Sequence, residues 1–129
     1  MLWISGDVRD TAERILQHKP GSLRTRYWQR EQRTAWILEE IGKEQPITVG
    51  IIIDKDRIET VKVLIFRESR GWEVKYPFFT NQFKQAKLDS GLELNTEIDG
   101  ITGATLSVRA LKKLSRLALY FHQQVTASP

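Results

Sequence analysis

Leu106, Ala110, Leu111, Leu114, Leu117, Ala118 and Phe121 recur at three- and four-residue steps, the spacing that gathers apolar side chains on one face of an α-helix. A long amphipathic helix of this kind must lie on an apolar partner, and the strand-prone runs earlier in the chain supply one. Immediately before it stands Asp99-Gly100-Ile101-Thr102-Gly103-Ala104-Thr105-Leu106-Ser107, a run of small and hydroxyl residues. Such a run at a helix start offers free backbone N–H groups, the positive end of the macrodipole and room for close approach, which is the chemistry of an anion site.

The chain has 129 residues and 40% hydrophobic content, which suits a single domain, 1–129, with one core. An opening helix is expected from Asp7 as N-cap through Val8, Ala12, Ile15 and Leu16 to a stop at Lys19-Pro20-Gly21. Leu23 to Trp28 and Thr34 to Glu39 read as a hairpin around Gln29 to Arg33, with Trp36, Ile37 and Leu38 in the core, and the helix and hairpin occupy residues 1–44. Ile47 to Ile53 and Ile58 to Phe66 read as the strands at the centre of the sheet. Trp72 to Lys75 is expected as a further short strand, Pro77 to Ala86 as a short helix, and Leu88 to Ile98 as a polar connection. The tail from Gln123 to Pro129 is expected to fray. The fold class expected is α+β, an antiparallel sheet with packed helices and the small-residue motif at the N-terminus of the last long helix.

The motif resembles the flavinylation signature of the FMN-binding domain family, in which an acid, a Ser/Thr-Gly-Ala-Ser/Thr core and a final Thr or Ser occur at this spacing. Glu68-Ser69-Arg70-Gly71 is similar to the Glu-Ser/Thr-x-Gly turn of the same family, and Phe79, Gln82 and Phe83 to an aromatic-Gln-Phe element between the two. The resemblance covers about residues 45–120. It implies FMN as cofactor, with Asp99, Thr102, Gly103, Ala104, Thr105, Glu68, Ser69 and Gly71 around it, and Trp72 or Tyr76 beside the isoalloxazine ring. It further implies that Ser107, where Thr is commoner, receives FMN through its phosphate from a separate flavin transferase that uses FAD. The activity implied is electron carriage between redox proteins, soluble or membrane-bound, rather than self-sufficient enzymatic turnover.

The residues alone leave alternatives open. Ser107 also reads as an ordinary helix N-cap or first-turn serine, Thr102 and Thr105 as turn caps, Asp99-Gly100 as a plain turn, Glu68 to Gly71 as a hairpin turn, and Trp72 as core. Arg109, Lys112, Lys113 and Arg116 crowd the first half of the last helix, where an anion or simple solvation would account for them. The formal net charge of +4 includes Arg24, Arg26, Arg30 and Arg33, read as a solvated hairpin face, with an acidic protein or anionic membrane surface as alternatives and no nucleic-acid motif. Noncovalent FMN binding, ligand sensing and a ligand-free interaction domain using that basic surface stand as the competing functions.

Zero cysteines exclude disulfides, thiolate catalysis and metal–thiolate centres, and His18 and His122 have no metal-ligand spacing and no assigned role. No apolar run approaches a membrane span. Met1 to Ser5 lacks the basic and apolar regions of a signal peptide; the family resemblance implies an exported, periplasmic protein whose export signal has been removed.

Overall fold

The structure is a computed structural model that describes residues 1–126. Its elements are β1 (Leu2–Trp3), α1 (Gly6–Leu16), β2 (Arg24–Thr25), β3 (Tyr27–Arg30), β4 (Arg33–Ile41), β5 (Pro46–Asp54), β6 (Arg57–Phe66), α2 (Pro77–Thr80) and α3 (Thr105–Thr126). Short 3₁₀ turns cover Trp72–Lys75 and Asn81–Phe83. Two antiparallel sheets result, β1-β2 and β3-β4-β5-β6, and with the helices they make the α+β fold expected, with the motif leading into α3. Among the described residues no helix is long and apolar enough to cross a membrane.

Strand alternation places Thr34, Trp36 and Leu38 of β4 and Ile47, Val49, Ile51 and Ile53 of β5 on the inner face, where α3 covers them. Leu111 and Leu114 are fully buried there. Each such side chain contributes about 1.5–3 kcal/mol of burial free energy. On its other side α3 packs against α1, whose Ala12 and Ile15 are also fully buried.

Several expectations are corrected. The hairpin loop is only Glu31 and Gln32, because Glu31 accepts a left-handed φ of 59° and lets Gln29 and Arg30 pair with Thr34 and Arg33. Ile37 lies on the outer face and is exposed, since strand alternation sends Trp36 and Leu38 inward. The sheet's centre is β4 and β5, while β6 is an edge. A register shift between Thr48 and Val49 leaves Leu64 unmatched and turns Ile65 outward, so the alternation of Val61 and Val63 with Lys62 stops there. Trp72–Lys75 coils into a 3₁₀ turn instead of a strand. The expected helix at Pro77 is present, with Pro77 in its first turn, but gives way to 3₁₀ geometry at Asn81.

α1 starts at Gly6 after Ser5 and ends at Gln17, left-handed at φ 65°, two residues before the expected stop. Of the tail, Gln123 to Thr126 continues α3, held by the Thr126 hydroxyl donating to the His122 carbonyl at 2.6 Å; Ala127 to Pro129 lie outside the described residues.

Candidate functional site

The motif folds as a turn feeding a helix. Ala104 N–H donates to the Ile101 carbonyl at 2.9 Å, closing a turn in which Gly103 adopts φ 84° with open space where a side chain would be. The Ala104 carbonyl then accepts Val108 N–H at 2.9 Å, which puts Ala104 at the N-cap and makes Ser107 the third residue of α3. Ser107 is therefore not the N-cap, and neither Thr102 nor Thr105 makes a capping hydrogen bond among the described residues. The N–H groups of Thr105, Leu106 and Ser107 precede Val108, the first donor bonded inside the helix, and are the orphan donors of α3.

Against this helix start packs the turn that follows β6. Gly71 sits at φ 84°, and a Cβ on it would fall 2.6 Å from Ser107 Oγ, 3.3 Å from Ser107 Cβ and 3.6 Å from Ala104 Cβ. Glycine is thus required for both its backbone angle and the contact. Ser107 is 5% exposed beneath the turn. Its hydroxyl has no hydrogen-bond partner among the described residues, and it is not one of their fully enclosed unsatisfied atoms, a description that applies to Ser115 Oγ.

Two side chains hold these loops. Gln82 Oε1 accepts Asp99 N–H at 2.7 Å and its Nε2 donates to the Asp99 carbonyl at 3.2 Å, so one amide pins the start of the motif from both sides. Phe79 and Phe83, fully buried and edge-to-face at 5.6 Å, fix the segment that carries Gln82. Glu68 accepts three backbone N–H groups, from Lys43 at 3.0 Å, Glu44 at 3.1 Å and Gln45 at 2.7 Å. Its carboxylate is committed to the β4–β5 loop and not to the motif. Asp99 has an exposed carboxylate without a partner among the described residues, and Ser69, Thr102, Gly103 and Thr105 are likewise exposed.

The basic residues of α3 divide. Lys113 lies 3.6 Å from Glu40, and Arg116 donates to the Leu92 carbonyl at 2.6 Å and meets Glu93 at 3.3 Å, so these two have protein partners. Arg109 is exposed near the motif end. Beside the Gly71 turn, Trp72, Tyr76 and Phe78 are 44%, 45% and 65% exposed; Trp72 meets Tyr76 edge-on at 5.4 Å and Tyr76 lies 6.2 Å from Phe78. Trp72 is consequently surface, not core. Phe78, which the sequence reading gave no place beside the ring, joins this exposed aromatic group.

The arrangement suits a ligand with a phosphate and a flat apolar ring. Orphan amides and a glycine-lined approach meet the first, and exposed aromatic faces the second. Residues 42–120 match the model of the FMN-binding domain family. The chain belongs to that family. No curated protein and no solved structure matches the chain. FMN is accordingly the cofactor of this FMN-binding domain. The matched range holds the Glu68 to Gly71 turn, Gln82, and the motif from Asp99 to Ser107, and leaves α1 and the β2–β4 region outside it.

Within this FMN-binding domain the two histidines also find structural places. His122, buried at 2% exposure, receives the Thr34 hydroxyl on Nδ1 at 2.6 Å and donates from Nε2 to the Lys55 carbonyl, while Trp36 Nε1 donates to Thr34 Oγ1 at 2.7 Å. Burial lowers the His122 pKa from 6.5, against a smaller upward pull from the Lys55 carbonyl, and the neutral tautomer satisfies every bond. His18 is raised, first by its hydrogen bond with the Lys19 carbonyl and next by Glu40, whose carboxylate it meets at 2.9 Å.

Proposed function

We propose that this FMN-binding domain carries FMN through a phosphoester to Ser107 and serves as an electron carrier between redox proteins. The observation that carries this reading is the unengaged Ser107 hydroxyl on the first turn of α3, under a glycine and beside three orphan amides. Bound FMN supplies one- or two-electron chemistry; the protein supplies position and electrostatics. The amides of residues 105–107 and the positive end of α3 hold the phosphate, with Thr102 and Thr105 hydroxyls as further donors. Trp72, Tyr76 and Phe78, exposed beside the Gly71 turn, would pack on the ring. Glu68 and Gln82 act at one remove, fixing the two loops that meet at Ser107.

A flavin transferase acting on FAD joins Ser107 Oγ to the phosphorus of the FMN half. The pyrophosphate bond breaks, AMP leaves and the hydroxyl proton is released. With Ser107 only 5% exposed, loading requires the Gly71 turn to lift from α3. The Asp99 carboxylate, exposed at the start of the motif, would serve in that transfer. The family resemblance favours an exported, periplasmic setting and membrane-bound or soluble redox partners.

Burial of Ser107 favours a second reading, noncovalent FMN on the same surface. Intact protein mass and in-gel flavin fluorescence after denaturation separate the two, using protein exported and co-expressed with an active transferase. The proposal expects flavin that survives denaturation in the wild type and none in Ser107→Ala. Flavin fully released from both, with saturable FMN binding in the native state, would establish the noncovalent reading.

A further inference from the structure

A slot lies largely outside the family match, where β3 stops short. β3 pairs with β4 only from Arg30↔Arg33 to Tyr27↔Trp36. At Arg26 the chain then turns away to form β2, which pairs with β1. Among the described residues the Ile37–Ile41 half of β4 has no strand on its outer side, and a cavity of about 590 Å³ runs along it. All five residues from Ile37 to Ile41 line this slot, as a cavity beside a strand edge requires, and α1 and β2 form the opposite wall.

The chemistry of the slot is directional. Gly42 N–H turns back to the Gln45 carbonyl at 3.1 Å, so even-numbered positions of β4 bond toward β5 and Glu39 aims its N–H and C=O into the slot. Ile41, of the same parity, gives its N–H to the Glu40 carboxylate at 3.2 Å. An exposed edge of this kind is normally blunted, and here it is bordered by apolar Ile4, Leu16, Leu38, Leu117 and Phe121. The slot's two acids are already engaged. Glu39 accepts the Thr48 hydroxyl at 2.9 Å and approaches Arg67 at 3.9 Å, and Glu40 is held by His18 and Lys113. Lys19 and Arg24 line the slot with no carboxylate partner among the described residues, Arg24 lying over the Trp3 ring at 5.6 Å.

We infer that this slot binds an extended segment of a partner protein, which adds as a strand to the Ile37–Ile41 edge. Its alternate side chains enter the apolar floor, and an acidic residue meets Lys19 or Arg24. A folded helix cannot reach the Glu39 backbone groups, whereas an extended chain pairs with them directly. A second copy of this chain is disfavoured, because antiparallel self-pairing centred on the open stretch sets Glu39 opposite Glu39.

The test uses a pool of fluorescein-labelled heptapeptides in which Val, Ile, Leu or Phe alternates with Thr or Glu. Anisotropy follows binding to the intact protein, and amide hydrogen exchange is followed at Glu39. The expected result is saturable binding that slows Glu39 exchange, prefers the Glu-containing members, and weakens about tenfold or more when alternate peptide nitrogens are methylated to remove their N–H groups. Lys19→Gln with Arg24→Gln removes the preference for Glu and leaves the N-methylation effect. No binding by any member, binding indifferent to N-methylation, or a dimer of the chain that itself protects Glu39 would overturn the inference.

Discussion

α3 buries a polar side chain near each end and treats them in opposite ways. At its C-terminal end His122 has both ring nitrogens bonded, and Thr34 and Trp36 extend the chain of partners across to β4. At its N-terminal end Ser107 is nearly as buried but its hydroxyl is unengaged, and the amides around it have no acceptor within the helix. Satisfied polar groups hold a fold together; the Ser107 hydroxyl, with no partner among the described residues, is the group that the proposed FMN linkage would use. The same helix thus serves as a structural clamp at one end and, in the function proposed above, as the floor of the FMN site at the other.

The comparison breaks most readily at Gly71. Replacing it with Ala strains a left-handed backbone and pushes a methyl group into Ser107, with an expected loss of about 2–3 kcal/mol in urea unfolding and of FMN retention. At the opposite end Thr34→Val leaves Trp36 Nε1–H and His122 Nδ1 unpaired, which costs about 2 kcal/mol with FMN content per folded protein unchanged. A finding that Thr34→Val empties the flavin site while Gly71→Ala fills it would reverse the assignment of the two ends.

Next in size is a pH effect. The folded pKa of His122 lies below 6.5, so as pH falls through 6.5 the unfolded chain takes up a proton before the native one does. The stability that His122 contributes is complete above that value and declines below it, down to the folded pKa. His18 works in the other direction, its stabilisation present at low pH and lost as pH rises through its raised pKa. Stability measured from pH 8 to 5 is expected to fall less in His122→Gln than in wild type. An identical fall in both would remove His122 as the cause. The smallest effect is expected from Ser107→Ala, within about 0.5 kcal/mol of wild-type stability, because the hydroxyl has no partner to lose.

What was readable in the chain follows the range of the forces involved. The α3 period, the two long β5 and β6 runs and the small-residue motif are local patterns, and each becomes the element it suggests. Trp72 and Val74 alternate over too short a span to separate a strand from a 3₁₀ turn, and only packing against the β6 end and α3 decides it. The outward turn of Ile65 depends on a register shift set by pairing with β5, which no window around Leu64 contains. Gln82 could be named beside Phe79 and Phe83, yet its grip on Asp99 bridges seventeen residues and appears only in the fold. Glu68 was legible as part of a motif, but not its partners, because the Lys43 to Gln45 amides reach it from another hairpin. The slot along β4 exists because β2 and β3 diverge at Arg26, a consequence of the two sheets and not of any motif.

The most direct measurement is tandem mass spectrometry of the proteolytic peptide spanning Asp99 to Arg109, from exported protein co-expressed with an active flavin transferase. The expected result is FMN minus water on the Ser107 oxygen, lost in Ser107→Ala and kept in Ser107→Thr. Flavin mapped to Thr102 or Thr105, or an unmodified peptide while a control substrate is loaded, would contradict it.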